Sequence, residues 1–216
     1  MSVTIRTMGF CEYETTLKAM QSFTLQRDPA TEDEIWIVEH PAVYTLGLNG
    51  KRKHLTEKNT IPVIDADRGG QVTYHGPGQL VAYVLCDLQR KNLGVQEFVN
   101  KLEQSIIDLL NTFSIKSERI QKAPGVYVNG EKIAALGLRI KHGRSYHGLS
   151  LNIDMDLQPF KDINPCGYPD LKVTQLKNLG ITKDMSEIYP LLIKHLARNL
   201  GYNNVLFPVP ESQIGS

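Results

Sequence analysis

Cysteine is scarce in this chain of 216 residues, with three in all: Cys11, Cys86 and Cys166. An odd, widely spaced set with no CxxC pair excludes a disulfide framework. The six histidines are scattered and none stands at zinc-finger spacing from a cysteine, so no metal site is expected. Excess charge is lacking too: the net charge is +1, which argues against wholesale nucleic-acid binding and leaves room for a local basic patch. No apolar run approaches the ~18 residues of a membrane span. The longest, 80–85, is the size of a buried strand. The first residues, Met1 to Arg6, lack the apolar core of a signal peptide. There is no internal repeat, no Ser/Gly linker, no GxGxxG and no P-loop. The expected setting is a reducing cytoplasm, away from membranes and nucleic acid.

What is present is ordinary globular material, 41% hydrophobic and 22% charged. The length suits a single domain over 1–216. Apolar spacing predicts a helix over about 11–26, through Tyr13, Leu17 and Met20. Strands are predicted at 35–39, 43–46, 71–74 and 79–88, with a short edge strand at 61–64, where Pro62 cannot donate to a ladder. The clearest helix covers 95–113. Its stripe is Phe98, Leu102, Ile106, Leu109, Leu110 and Phe113, with Glu103 and Asp108 placed opposite. Asn129-Gly130 between apolar runs predicts a hairpin, its second arm running 133–140. A further strand is predicted at 146–153. Asp184 with Glu187 forms a capping box that opens a last helix. The tail after Phe207 reads as loose. The sum is a strand-rich α+β pattern rather than βαβ alternation.

Three features carry chemistry. Residues 68–79 hold four glycines among Arg68, Thr73, His75 and Gln79, so backbone can approach a ligand closely there. The same composition reads equally as a hairpin that merely turns. Cys166 lies between Pro165 and Gly167 in a predicted turn, where a thiol can be exposed; a small buried thiol in a loop is the alternative. Cys86, closing an apolar strand, and Cys11, preceding a helix, fit the inert reading better. Lys132 follows the Asn-Gly turn, a place where lysines are ordinarily solvated.

Together these segments resemble the octanoyl-[acyl-carrier-protein]:protein octanoyltransferases, also called lipoate-protein ligase B. The family signature Arg-Gly-Gly-x-x-Thr-aromatic-His-x-Pro-Gly-Gln is met at every fixed position from Arg68 to Gln79. Further matches are Gly130-x-Lys132-Ile133-Ala134, Leu136-Gly137, residues 147–152 (His-Gly-Leu-Ser-Leu-Asn) and Pro165-Cys166-Gly167. The resemblance implies an α/β fold of mixed sheets flanked by helices, like biotin and lipoate ligases and class II aminoacyl-tRNA synthetases. It implies Cys166 as acyl-accepting nucleophile with Lys132 as its partner. It implies an acyl pocket lined by Arg68, Gly69, Gly70, Gln71, Val72, Thr73, Tyr74 and His75, by Ala135, Leu136 and Gly137, and by Gly148, Leu149 and Ser150.

The implied reaction moves octanoyl from the phosphopantetheine thioester of acyl carrier protein to a lysine of a lipoyl domain. Acceptors would be the 2-oxoacid dehydrogenase complexes and the glycine cleavage H protein. Thioester to amide is downhill, so neither ATP nor a separate cofactor is required. A covalent intermediate divides one hard transfer into two. A free thiol of pKa ~8.5 is only slightly ionised near pH 7, so Lys132 would either stabilise the thiolate as an ammonium or, neutral, take the thiol proton. Oxyanion donors are expected among the N–H groups of Gly76 to Gly78 or beside Cys166. His75 would orient the reacting groups or serve as a structural hydrogen bond. Small residues such as Ala135 and Gly137 would leave room for the chain. The basic turns 51–54 and 141–144 are candidate docking patches for an acidic carrier. The competing readings are an ATP-dependent lipoate or biotin ligase of the same fold and a non-catalytic carrier-binding module.

Overall fold

The computed structural model describes residues 1–52, 60–121, 123–163 and 172–208. Among them, eight strands form one sheet and three form another. In chain order the elements are β1 (Ser2–Phe10), α1 (Tyr13–Gln26), β2 (Asp33–Glu39), β3 (Val43–Leu46), β4 (Val63–Asp65), β5 (Val72–His75) and β6 (Gln79–Leu85). There follow α2 (Val95–Thr112), β7 (Glu118–Ile120), β8 (Ala123–Val128), β9 (Glu131–Lys141), β10 (Arg144–Asn152), α3 (Met185–Leu200) and β11 (Asn204–Leu206).

The large sheet runs β11-β1-β2-β6-β10-β9-β8-β7. β1 pairs in parallel with β11 and β2, and the remaining neighbours are antiparallel, so the sheet is mixed. Both faces are covered, which explains the uninterrupted apolar run of β6. Leu80, Ala82 and Val84 face the core under α2 and α3, while Val81, Tyr83 and Leu85 face α1. Ile35 and Ile37 of β2 divide from Trp36 and Val38 in the same way. The small sheet, β4-β3-β5, has β4 at its edge as Pro62 predicted, and it packs Tyr44, Val72 and Tyr74 against Phe160.

The hairpin joining β8 to β9 turns on Asn129 and Gly130, both at positive φ, as predicted. His142 and Gly143 make the equivalent turn between β9 and β10. Asp184 and Glu187 form the capping box of α3. Three short or polar strands went unpredicted: β1, β7 and β11. One placement is reversed. Glu103 is not on the solvent face of α2 but buried. It stands three residues before Ile106, hence only about 60° round the helix from the apolar stripe. No described helix is long and apolar enough to cross a membrane.

Candidate active site

The signature segment is folded by its own arginine. Arg68, in the loop between β4 and β5, is buried. Its guanidinium donates to the Thr45 hydroxyl and to the carbonyls of Thr45, Gly69 and Gln71 at 2.7–3.2 Å. Gly69 N–H donates to the Leu138 carbonyl at 2.8 Å, tying the loop to β9. Gly70 sits at φ +88, a conformation that favours glycine. Arg68 is therefore a structural clasp as well as part of the wall.

The loop closes over a cavity whose floor is β6, β10 and β9. Gly70, Gln71, Val72, Thr73 and His75 line it from above, together with Arg68. Ala135, Leu136 and Gly137 line it from β9, and Gly148, Leu149 and Ser150 from β10. Lys132 opens on the same cavity. Two expected wall residues are elsewhere. Gly69 borders a neighbouring groove with Leu138, because its backbone is bonded to β9. Tyr74 points into the small-sheet core, its ring 5.4 Å from that of Phe160, on the face of β5 that it shares with Val72. Sequence reasoning missed Tyr13, Tyr83, Phe160 and His147, which line the cavity as well. Helical spacing alone places Tyr13 in a helix core, and Tyr83 stands within an apolar run.

A chain of hydrogen bonds links the signature to Lys132. Asn152 Nδ2 donates to the Thr174 carbonyl at 2.9 Å, and Gln79 Nε2 donates to Asn152 Oδ1 at 2.9 Å. Gln79 Oε1 is thus an acceptor, and its 2.7 Å partner, His75 Nδ1, must carry the proton. Thr174 N–H donates to the Lys132 carbonyl at 3.0 Å, and Lys132 N–H to the Lys172 carbonyl at 2.9 Å. Burial pushes the His75 imidazole down to about 3, so it is neutral and its Nε2 can only accept. His40 is likewise pushed down by burial. Its Nδ1 donates to the Cys11 carbonyl at 2.6 Å, and its Nε2 accepts from the Tyr83 hydroxyl at 2.7 Å.

At the other end of the floor, His147 sits at φ +61 and donates from Nε2 to Asp67 at 2.8 Å. Its Nδ1 is buried and has no hydrogen-bond partner among the described residues. Partial burial disfavours the Asp67 carboxylate, but hydrogen bonds from His147, Tyr146 and Gln21 outweigh it and hold the group well below its usual range. Burial pushes His147 down as well. A saturated chain in this slot would meet carbon and neutral polar groups along most of its length, with the cations Arg68 and Lys132 also at the wall.

Lys132 corrects its sequence reading: it is buried rather than solvated. Its Nζ donates to the Pro124 carbonyl at 3.1 Å and stands 5.2 Å over the Tyr127 ring. Cys166 lies outside the described residues, as do Lys53, His54 and the tail from residue 209. The turn at Gly76 to Gly78 does not line the cavity. Its Gly78 N–H donates to Glu39 at 2.7 Å, so that donor is already committed and the expected oxyanion donors are not drawn from it. No cluster of metal-ligating side chains occurs among the described residues.

Comparisons with known proteins agree with this architecture. Residues 12–197 match the family described as lipoyl protein ligase A/B catalytic domain. An octanoyltransferase of Chromobacterium violaceum is 56% identical over 196 residues, which cover 91% of this chain and 95% of that protein. One of Nitrosococcus oceani is 53% identical over 199 residues, covering 92% and 89%. In fold, the chain resembles a crystal structure of lipoate-protein ligase A bound with ATP, with a TM-score of 0.79 at 13% identity, covering 98% of this chain and 90% of that one. It resembles the biotin protein ligase of Aquifex aeolicus more distantly, with a TM-score of 0.55 at 11% identity, covering 93% and 69%. The signature loop, the cavity and the relatives converge: the chain belongs to the lipoyl protein ligase A/B catalytic domain family, among its octanoyltransferases.

Proposed function

We propose that this enzyme transfers octanoyl from octanoyl-acyl carrier protein to a lysine of lipoyl domains through a thioester on Cys166, assisted by Lys132. One observation supports the reading most. The signature loop and the matched stretches of β9 and β10 meet around a single apolar cavity on which buried Lys132 opens. The chain that follows Cys166 pairs with Lys132 at Lys172 and Thr174. A carbonyl oxygen and an aromatic face are fitting partners for an ammonium, which in turn favours a nearby thiolate.

The Cys166 thiolate attacks the thioester carbonyl, a tetrahedral oxyanion forms, and the phosphopantetheine thiolate leaves. The neutral acceptor amine then attacks the Cys166 thioester and expels the Cys166 thiolate, which takes up the amine's proton as the amide forms. Neutral His75 holds Gln79 and the β10 floor rather than donating to the carbonyl, since its Nε2 bears no proton. The apolar slot takes the eight-carbon chain, at ~0.8 kcal/mol per buried methylene. A free thiol nucleophile fits a reducing cytoplasm. The acceptors would be lipoyl domains of 2-oxoacid dehydrogenase complexes and the glycine cleavage H protein.

Intact-mass spectrometry after incubation with octanoyl-acyl carrier protein tests this directly. One added octanoyl group is expected, absent in Cys166→Ser, with Lys132→Ala losing at least about 100-fold in transfer rate. Rapid turnover by a folded Cys166→Ser variant, or labelling only with free octanoate and ATP, refutes the mechanism.

A further inference from the structure

We infer that Glu103 is a positioning residue for Lys132, acting through the backbone of Gly125 and Pro124. The inference rests on the reading of Lys132 as the partner of Cys166. Glu103 belongs to α2, outside the cavity, yet its side chain is only 6% exposed. A buried carboxylate at a helix–sheet contact is costly unless it is satisfied by hydrogen bonds. Its two oxygens have separate duties. Oε1 accepts from Gly125 N–H at 2.9 Å, and Oε2 accepts from Arg119 Nε at 3.0 Å.

Gly125 is held where little else fits. Its φ of +137 suits glycine alone, and a Cβ there would stand 2.7 Å from the Ala134 carbonyl oxygen and 3.1 Å from Lys132 Cε. The open side of Gly125 is therefore the bed of the Lys132 side chain. The preceding residue, Pro124, presents the carbonyl that Lys132 Nζ reaches at 3.1 Å. Pro124 itself has no N–H to fix it, so the Gly125 amide is the handle by which this peptide is held. Glu103 grips that handle from α2. The register of β8 against β9 shifts between Val126 and Tyr127, so the regular ladder does not hold this stretch. An oxygen moved off Gly125 would let the Pro124 carbonyl turn and the ammonium drift. A displacement of about 1 Å at a reacting group costs up to ~100-fold in rate.

Two conservative variants separate position from charge. Glu103→Gln retains a carbonyl oxygen for Gly125 and loses the charge beside Arg119. Glu103→Asp retains the charge and shortens the side chain by one methylene, drawing the oxygen away from Gly125. The rate of Cys166 acylation by octanoyl-acyl carrier protein is measured per folded enzyme, with KM and thermal melting alongside. Expected are a rate within about threefold of wild type for Glu103→Gln and a drop of at least about tenfold for Glu103→Asp, both with KM within about twofold. Gly125→Ala, which places a methyl against Lys132, should lower the rate in the same way. The reverse order, with Asp active and Gln slow, would assign Glu103 a charge role and overturn the inference. So would variants that melt earlier yet acylate at the wild-type rate. If Lys132→Ala is itself active, the reading of Lys132 fails. If Lys132→Ala is dead and Glu103→Asp is fully active, only the present inference fails.

Discussion

Two buried polar clusters flank β6, and they solve the same problem in opposite ways. Near its C-terminal end, Asp33 is almost wholly enclosed. It accepts from Arg27 at 2.5 Å, Arg90 at 2.6 Å, the Asp87 amide at 2.9 Å, the Tyr202 hydroxyl at 2.7 Å and the Cys86 thiol at 3.6 Å. Burial opposes the Asp33 carboxylate, but these donors outweigh it and lower its pKa. The same burial, with Asp33 beside it, pushes the Cys86 thiol up to about 12, which makes it inert. Among the described residues that line the acyl cavity there is no carboxylate. His75 and His147 are kept neutral by burial, and Arg68 spends its donors on a hydroxyl and carbonyls. The first cluster joins α1, β2, β6 and the end of α3; the second leaves space. Burial of polar groups is thus common to stability and to function, and the open cavity is what tells them apart.

Removing the ionic centre should have the largest effect and the least functional meaning. Asp33→Ala leaves Arg27 buried without its carboxylate, and we expect a loss of about 3–5 kcal/mol in urea unfolding. Transfer per folded molecule should be unchanged. A loss below about 1 kcal/mol would place the cluster with exposed ion pairs instead. The converse change is Ala135→Leu, opposite Ser150 in the cavity wall. It fills roughly three methylenes of slot, and at ~0.8 kcal/mol each this is about 50-fold against octanoyl transfer, with hexanoyl slowed only about fourfold, butanoyl spared and melting little changed. An unaltered chain-length profile would show that the acyl group lies elsewhere.

Much of this contrast was legible in the sequence, and the reasons for the rest are physical. Strong periodicity and turn chemistry act locally, so α1, α2, β6, the Asn129-Gly130 hairpin and the Asp184 cap were readable. β1, β7 and β11 were not, because Ser2–Phe10 mixes polar and apolar residues and the other two are three-residue edge strands whose pairing is set by distant partners. Of the site, the signature and Lys132 were legible through family resemblance. Tyr74 and Gly69 were over-read, since a contiguous motif cannot reveal which of its residues are drawn away by a ring contact with Phe160 or a backbone bond to Leu138. Glu103 and His147 were under-read. Each gains its place from a tertiary contact, with Gly125 and with Asp67, that spacing along the chain does not encode.

Acid should separate the two clusters by pH. His75 falls from 6.5 to about 3 in the folded chain, and His40 and His147 are also lowered, all chiefly by burial. A histidine with a depressed folded pKa binds its proton more readily when unfolded. Its stabilisation is complete above about 6.5 and is lost as pH falls from there towards the folded value, at up to ~1.4 kcal/mol per pH unit for each group. Asp33 is lowered from 3.8, so its stabilisation is lost only as pH falls below about 4. Stability lost between roughly pH 6.5 and 4.5 therefore belongs to the buried histidines, His195 of α3 among them, rather than to the ionic cluster. His75→Asn places an amide where Nδ1–H donates to Gln79 and removes one titrating group. Urea unfolding across that range should show a slope shallower by up to about 1.4 kcal/mol per pH unit than wild type. An identical slope would mean that His75 takes up its proton in the folded chain as easily as in the unfolded one, and a neutral His75 in the slot would have to be abandoned.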